Sequence, residues 1–284
     1  MKESPLKCFL RRTAPLHLLK LVLVILTGTL ARASDLTVVL TGNTADLKNA
    51  DDLFPIIEQH FRASKDTVVW VLNGDVFPES YSDQQIVAWN AKDNQMLDDF
   101  LGLYIILNQG DRDWDHSGKK GLKKIRSLEK LLAESAHPRF EVFLRQGCPG
   151  PWTISFPTLQ IVVINSQWWN HPFEKPIPSS DVCTIADTGN FIEELEGILD
   201  EVNNKNVLIL SHFPLKSLGN YGGRFAASSY LFPPLVGNAL VAFHQHVGTS
   251  KDITNAQFDV FRQRLSNVLH DYSSLIFASG HEQN

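Results

Sequence analysis

Short runs of Val, Ile and Leu alternate with longer amphipathic stretches along most of the chain. The runs Leu36–Thr41, Thr67–Leu72, Leu103–Leu107, Leu159–Ile164, Val207–Leu210 and Leu275–Ala278 have the length and β-branched content of strands. Several are apolar at consecutive positions, which predicts strands covered on both faces. Between them, Asp51–Arg62, Ser82–Phe100, Lys119–Ser135, Asn190–Val202 and Thr254–Leu269 repeat apolar residues at helical spacing. Alternation of this kind predicts an α/β fold. No internal repeat or Pro/Gly/Ser-rich linker divides the chain. Residues 145–158 and 168–185, rich in Pro, Trp and Gly, are expected to be long loops.

The N-terminal 33 residues follow a different rule. Basic residues lead into the apolar stretch Leu21–Leu30, and Ala31-Arg32-Ala33 is an A-x-A cleavage pattern. That stretch is too short to cross a bilayer core of roughly 30 Å. Residues 1–33 are therefore expected to be a secretory signal, and residues 34–284 the folded domain, exported to a periplasm, cell envelope or extracellular space. Two cysteines remain beyond the signal, Cys148 and Cys183, and an exported chain can join them in a disulfide. Closing a loop of that size contributes about 4 kcal/mol in the chain-entropy model.

Composition and charge narrow the function. The chain is 43% hydrophobic and 20% charged, which excludes fibrous and disordered classes. It carries 26 basic and 31 acidic residues, and six of the basic ones precede Asp35. So acidic a body argues against general nucleic-acid binding, which needs excess cation to displace counterions. No G-x-S-x-G elbow and no G-x-x-x-x-G-K-[ST] loop occurs, so serine-hydrolase and P-loop readings lack their local signatures.

The candidate chemistry lies immediately after the strands. Their C-terminal ends run into Gly42-Asn43, Gly74-Asp75, Gly110-Asp111-Arg112-Asp113, Ser211-His212 and Gly280-His281. Ligand sites in open α/β sheets gather at such ends. Five ends that each deliver a carboxylate, amide or imidazole predict one shared site, with the oxygen and nitrogen donors that suit Zn, Mn or Fe.

In this order and spacing the chain resembles the calcineurin-like metallophosphoesterases. Their stations read Asp-x-His, Gly-Asp, Gly-Asn-His-Asp, a His before Pro, and Gly-His-x-His. Here the stations are Gly42-Asn43-Thr44-Ala45, Gly74-Asp75, Gly110-Asp111-Arg112-Asp113, Ser211-His212-Phe213-Pro214 and Gly280-His281-Glu282-Gln283. The surroundings Gly74-Asp75-Val76-Phe77-Pro78 also resemble the family, and Gln167-Trp168-Trp169 and the Cys148-Pro149-Gly150-Pro151 loop are similar to an exported bacterial branch. The resemblance implies a four-layer α-β-β-α sandwich with mixed sheets and hydrolysis of a phosphoester substrate at two metals. The family continues beyond Gly-His-x-His, so the domain is expected to be incomplete at its C-terminus.

The departures from the family pattern change the expectation. At the family's first metal position the ligand stations are Asn43, Ala45, Asp75 and Gln283, of which only Asp75 is an unaltered ligand and Ala45 offers none. Asn43 and Gln283 offer neutral carbonyl oxygens, so this position is expected to be weak or empty. The second would be held by Asp75, Asp111, His212 and His281, a set suited to one divalent ion. Arg112 replaces the family's catalytic imidazole and cannot act as a proton shuttle. It either holds a phosphate by charged hydrogen bonds or forms an ion pair with Asp113 or Asp75. The resemblance places Arg112 and Asp113 at the catalytic station, and Arg224 after Gly222-Gly223 is a second phosphate-contact candidate. His116 either stands in for the missing imidazole or is an ordinary loop residue. His244-Gln245-His246 has strand-like spacing for two ligands on one face. Trp168, Trp169 and His171 either line the cleft or pack under the disulfide loop. Two functions follow: an exported phosphoesterase with reduced activity, or a non-catalytic domain that binds a phosphorylated ligand or an envelope protein.

Overall fold

The computed structural model describes residues 36–46, 50–63, 66–134, 137–178, 183–202, 205–231 and 236–282. The proposed signal and Gln283 lie outside them. Strands β1 (Leu36–Thr41), β2 (Thr67–Asn73), β3 (Leu103–Asn108) and β4 (Phe140–Phe143) form one sheet in that order, all parallel. Strands β5 (Trp152–Ser155), β6 (Leu159–Ile164), β7 (Asn206–Ser211) and β8 (Leu275–Ser279) form the second. There β5 runs antiparallel to β6 and the remaining pairs are parallel. The helices are α1 (Ala50–Ala63), α2 (Asp83–Asp99), α3 (Gly121–Ala133), the single turn α4 (Gln167–Asn170), α5 (Thr188–Glu201), α6 (Ala227–Leu231), α7 (Val236–His246) and α8 (Ala256–His270).

The strands explain their own composition. Along β2, Val68, Trp70 and Leu72 pack with Ile86 and Leu97 of α2 and Ile125 and Leu128 of α3. The intervening Val69 and Val71 belong to another core, with Ile161 and Val163 of β6 and Leu208 and Leu210 of β7. On the other side of β6 and β7, Val162, Ile164, Val207 and Ile209 meet Phe191 and Leu195 of α5 and Phe258, Phe261 and Leu265 of α8. Side chains alternate at period two, but both faces are buried, so neither face needs polar residues. The result is a two-sheet α/β sandwich, its sheets sharing one apolar core and each carrying helices.

Two expectations change. The stretch 145–158 contains β5, and 168–185 begins inside the turn α4. His244-Gln245-His246 lies on α7 rather than on a strand. Residues two apart on a helix point about 200° apart, so His244 and His246 cannot share an ion on one face. Trp168, Trp169 and His171 are buried; Trp169 stacks on Phe261 at 3.6 Å and His171 lies 4.7 Å from Trp114. Burial and the Lys175 charge lower the His171 pKa to about 4, so its imidazole stays neutral. Cys148 and Cys183 form the expected disulfide, with Cα atoms 5.6 Å apart.

Candidate metal centre

The C-terminal ends of strands from both sheets converge. Asp111 follows β3, His212 follows β7 and His281 follows β8, and all three are buried. His281 Nδ1 is 3.1 Å from Asp111 Oδ1 and 3.3 Å from His212 Nε2. His212 Nε2 is 3.3 Å from the same Asp111 oxygen. Two donors bound to a tetrahedral zinc at about 2.05 Å would stand about 3.3 Å apart. The three atoms therefore form a triangle of the size one ion would span, and they could hold one.

The far side of each imidazole fixes its orientation. His212 Nδ1 lies 3.1 Å from the Asn73 carbonyl, and His281 Nε2 lies 2.8 Å from the Lys251 carbonyl. A carbonyl only accepts, so these nitrogens carry the protons. The lone pairs of His212 Nε2 and His281 Nδ1 are thereby turned toward Asp111. This is the outer-shell support by which proteins present imidazole to a metal. Without a cation, three lone-pair atoms this close repel one another unless one gains a proton.

Local backbone geometry brings the ligands this close. Asp75 and His281 have φ of 55° and 70°, a left-handed region that non-glycine residues enter only under constraint. Gly110 is required by contact: a Cβ there would lie 2.1 Å from Asp75 Oδ1 and 2.8 Å from His212 Cε1. Beneath the site, buried amides tie the sheets together. Asn73 Nδ2 donates to the Ser211 carbonyl at 2.9 Å, and Asn108 Nδ2 donates to Asn73 Oδ1 at 3.1 Å.

Asp75 sits at the edge of the triangle. Its Oδ2 is 3.4 Å from His212 Nε2 and 3.6 Å from Arg112 Nε, and its Oδ1 accepts from the Arg112 backbone N–H at 3.0 Å. Arg112 thus makes the ion pair with Asp75 that was one of its two expected roles. Asp113 is buried and accepts from the backbone N–H of Gly110 at 2.8 Å and of Asp75 at 3.2 Å. Burial and the neighbouring Asp75 push its pKa up to about 7. In this position Asp113 holds the two ligand loops together. Asn43 is tied to the Asp75 loop through its backbone N–H, which donates to the Gly74 carbonyl at 3.1 Å. Its Oδ1 is buried and receives no hydrogen bond, so that oxygen remains available to a cation. Ala45 contributes a backbone N–H to the Asp75 carbonyl at 3.1 Å.

The structure also brings His116 to the site. Its Nδ1 is 3.6 Å from Asp111 Oδ2 and 3.1 Å from Lys251 Nζ, and its Nε2 is 3.6 Å from Glu79. Lys251 is a site residue that sequence reading missed, because it follows no strand and belongs to no motif. Arg224 is exposed on the loop after Gly223. Tyr221, three residues earlier, lies 4.4 Å ring to ring from His281.

Charge at the centre is strongly shared. Burial works against the Asp111 carboxylate, but hydrogen bonds from His116, His212 and His281 outweigh it and hold its pKa well below the usual carboxylate range. Burial likewise works against the His212 imidazolium, yet the Asp75 and Asp111 charges raise its pKa well above 6.5. The metal-free chain therefore holds a proton on His212 that an ion must displace. Metal affinity is expected to rise with pH until the raised His212 pKa is passed, with proton release on binding. Zinc titration calorimetry in buffers of different ionisation enthalpy checks this, and a pH-independent affinity would contradict it. The stability term has the opposite sign. Stability from the charged His212 is fully present below pH 6.5 and is lost as pH rises through the raised value.

No family model matches the chain, and no curated protein matches it significantly in sequence.

Proposed function

We propose that the chain is an exported metal-dependent phosphoesterase of the calcineurin-like type, its two sheets and their helices forming that family's four-layer sandwich. One observation carries the reading: two imidazoles of fixed tautomer and a carboxylate, drawn from both sheets, present donor atoms to a single point at the strand ends. Asp111, His212 and His281 would hold one divalent ion, Zn, Mn or Fe, with Asp75 beside them; Asn43 offers the only further described oxygen of the weak position. When bound, such an ion would supply Lewis acidity at a phosphoryl oxygen. Arg112, whose side chain is 19% exposed, can turn from Asp75 to a phosphate oxygen. Lys251 Nζ donates to His116 Nδ1 and keeps a second cation beside that imidazole. The disulfide is compatible with an oxidising compartment. No described helix is long and apolar enough to cross a membrane.

The Arg112–Asp75 contact favours a second reading, a phosphate-binding domain without catalysis. Arginine stands where the family has a proton-transferring imidazole, and here it neutralises a carboxylate that the family uses as a ligand. Hydrolysis of a phosphomonoester and a phosphodiester with added Mn or Zn separates the two. Turnover that disappears in Asp75→Ala is expected for the phosphoesterase. Inorganic phosphate binding that is lost in Arg112→Ala, with no turnover, would establish the binding domain instead.

A further inference from the structure

From Asn206 to Lys251 the chain contains no Asp or Glu, although it holds 31 acidic residues in all. The only Lys and Arg residues in that segment are Lys216, Arg224 and Lys251, and between Arg224 and Lys251 there is no Asp, Glu, Lys or Arg. The described residues of this stretch include α6 and α7, which pack against each other. On α7, Val236, Leu240 and Phe243, with Val247 just past its end, lie at helical spacing along one face and are 51%, 51%, 45% and 55% exposed. Leu231 at the end of α6 is 64% exposed. Away from the stripe Val241 is buried, and at the stripe's flank His244 Nδ1 donates to Asp252 Oδ2 at 2.8 Å, which anchors α7.

We infer that the α6–α7 face is a lipid-docking surface that rests on an anionic bilayer. An apolar stripe without charges, flanked in sequence by Arg224 and Lys251 on an otherwise acidic chain, complements negatively charged headgroups above an acyl layer. A protein partner of ordinary composition would not require the complete absence of acid over this stretch. The link to the centre runs through Lys251, four residues beyond the stripe. This residue gives its carbonyl to His281 and its ammonium to His116. On the phosphoesterase reading proposed above, on which this extension rests, the substrate class is therefore an amphiphilic phosphoester taken at the membrane surface.

Hydrogen exchange on the metal-free full chain tests the docking locally, since it reads the amides of α7 themselves. With phosphatidylglycerol vesicles, amides of residues 236–247 are expected to gain protection. The lipid concentration required should be on the order of 30-fold lower than with phosphatidylcholine, as two cations near the surface imply. The exposed double variant Leu240→Ser/Phe243→Ser should lose that protection while retaining the fold. Three results would overturn the inference: no gain on vesicles, protection retained in the variant, or protection that develops with protein concentration alone, which would mark a second copy as the occupant. Hydrolysis separates the substrate claim from the docking. The variant should lose at least ten-fold in turnover of a vesicle-borne phosphoester and none on a water-soluble one. Absence of turnover on both with docking intact would defeat the phosphoesterase reading alone.

Discussion

Replacing Asp111 with Ala is expected to reduce retained zinc or manganese from about one ion per chain to none after dialysis. Asp111 Oδ1 is the vertex shared by both imidazoles, at 3.1 Å from one and 3.3 Å from the other. Its removal takes away the only carboxylate within the triangle and leaves two imidazoles facing each other. Loss of outer-shell groups alone typically weakens a metal by 10–100-fold, so loss of this ligand should exceed about 100-fold. Metal analysis of the dialysed protein measures the outcome directly. His212→Ala should behave in the same way, whereas Arg224→Ala should retain the ion. Full occupancy in Asp111→Ala would mean that the centre lies elsewhere.

Gly110→Ala is expected to damage the fold and the centre together. The added Cβ would fall 2.1 Å from Asp75 Oδ1, 2.7 Å from the Asp75 backbone nitrogen and 2.8 Å from His212 Cε1. The carboxylate could turn away, but the backbone nitrogen cannot, because it donates to Asp113. Either the Asp75 loop or the loop carrying Asp111 must then move. Strain of this kind costs about 3 kcal/mol or more, and urea unfolding should show it as a lower midpoint with an unchanged slope. By contrast, Gly197→Ala on α5 meets nothing within 4 Å and serves as the control. A Gly110→Ala protein as stable as the parent would show that the site is looser than these contacts indicate.

The six strands read from apolar runs are all present: the central ones, such as β2 and β7, are apolar because both faces are buried, whereas β1 and β8 keep apolar residues although Leu40 and Ile276 are exposed. The strands that were not read are short and mixed. Phe140–Phe143 carries Glu141, and Trp152–Ser155 alternates apolar with hydroxyl residues. Helix α7 escaped because polar residues do not define its outer face; that face is apolar and exposed, so the usual contrast between inside and outside is missing. At the site, Asp111, His212 and His281 were legible because each follows a strand and has a side chain suited to ligation. What orients them was not. The Asn73 and Lys251 carbonyls fix the two tautomers as backbone atoms, and any residue could supply a carbonyl. Only the fold reveals which carbonyls are near.

The amide ties beneath the centre and the ligands above it span the same seam. Asn73 reaches from β2 to Ser211 of β7, while Asp111 belongs to the first sheet and both imidazoles to the second. An ion bound there cannot bind an unfolded chain with comparable strength, because its donors are up to 170 residues apart. Loading and folding are then a single coupled equilibrium. Each hundredfold excess of free ion over its dissociation constant would add about 2.7 kcal/mol to the folded state, so the melting temperature of the domain would report the metal concentration around it.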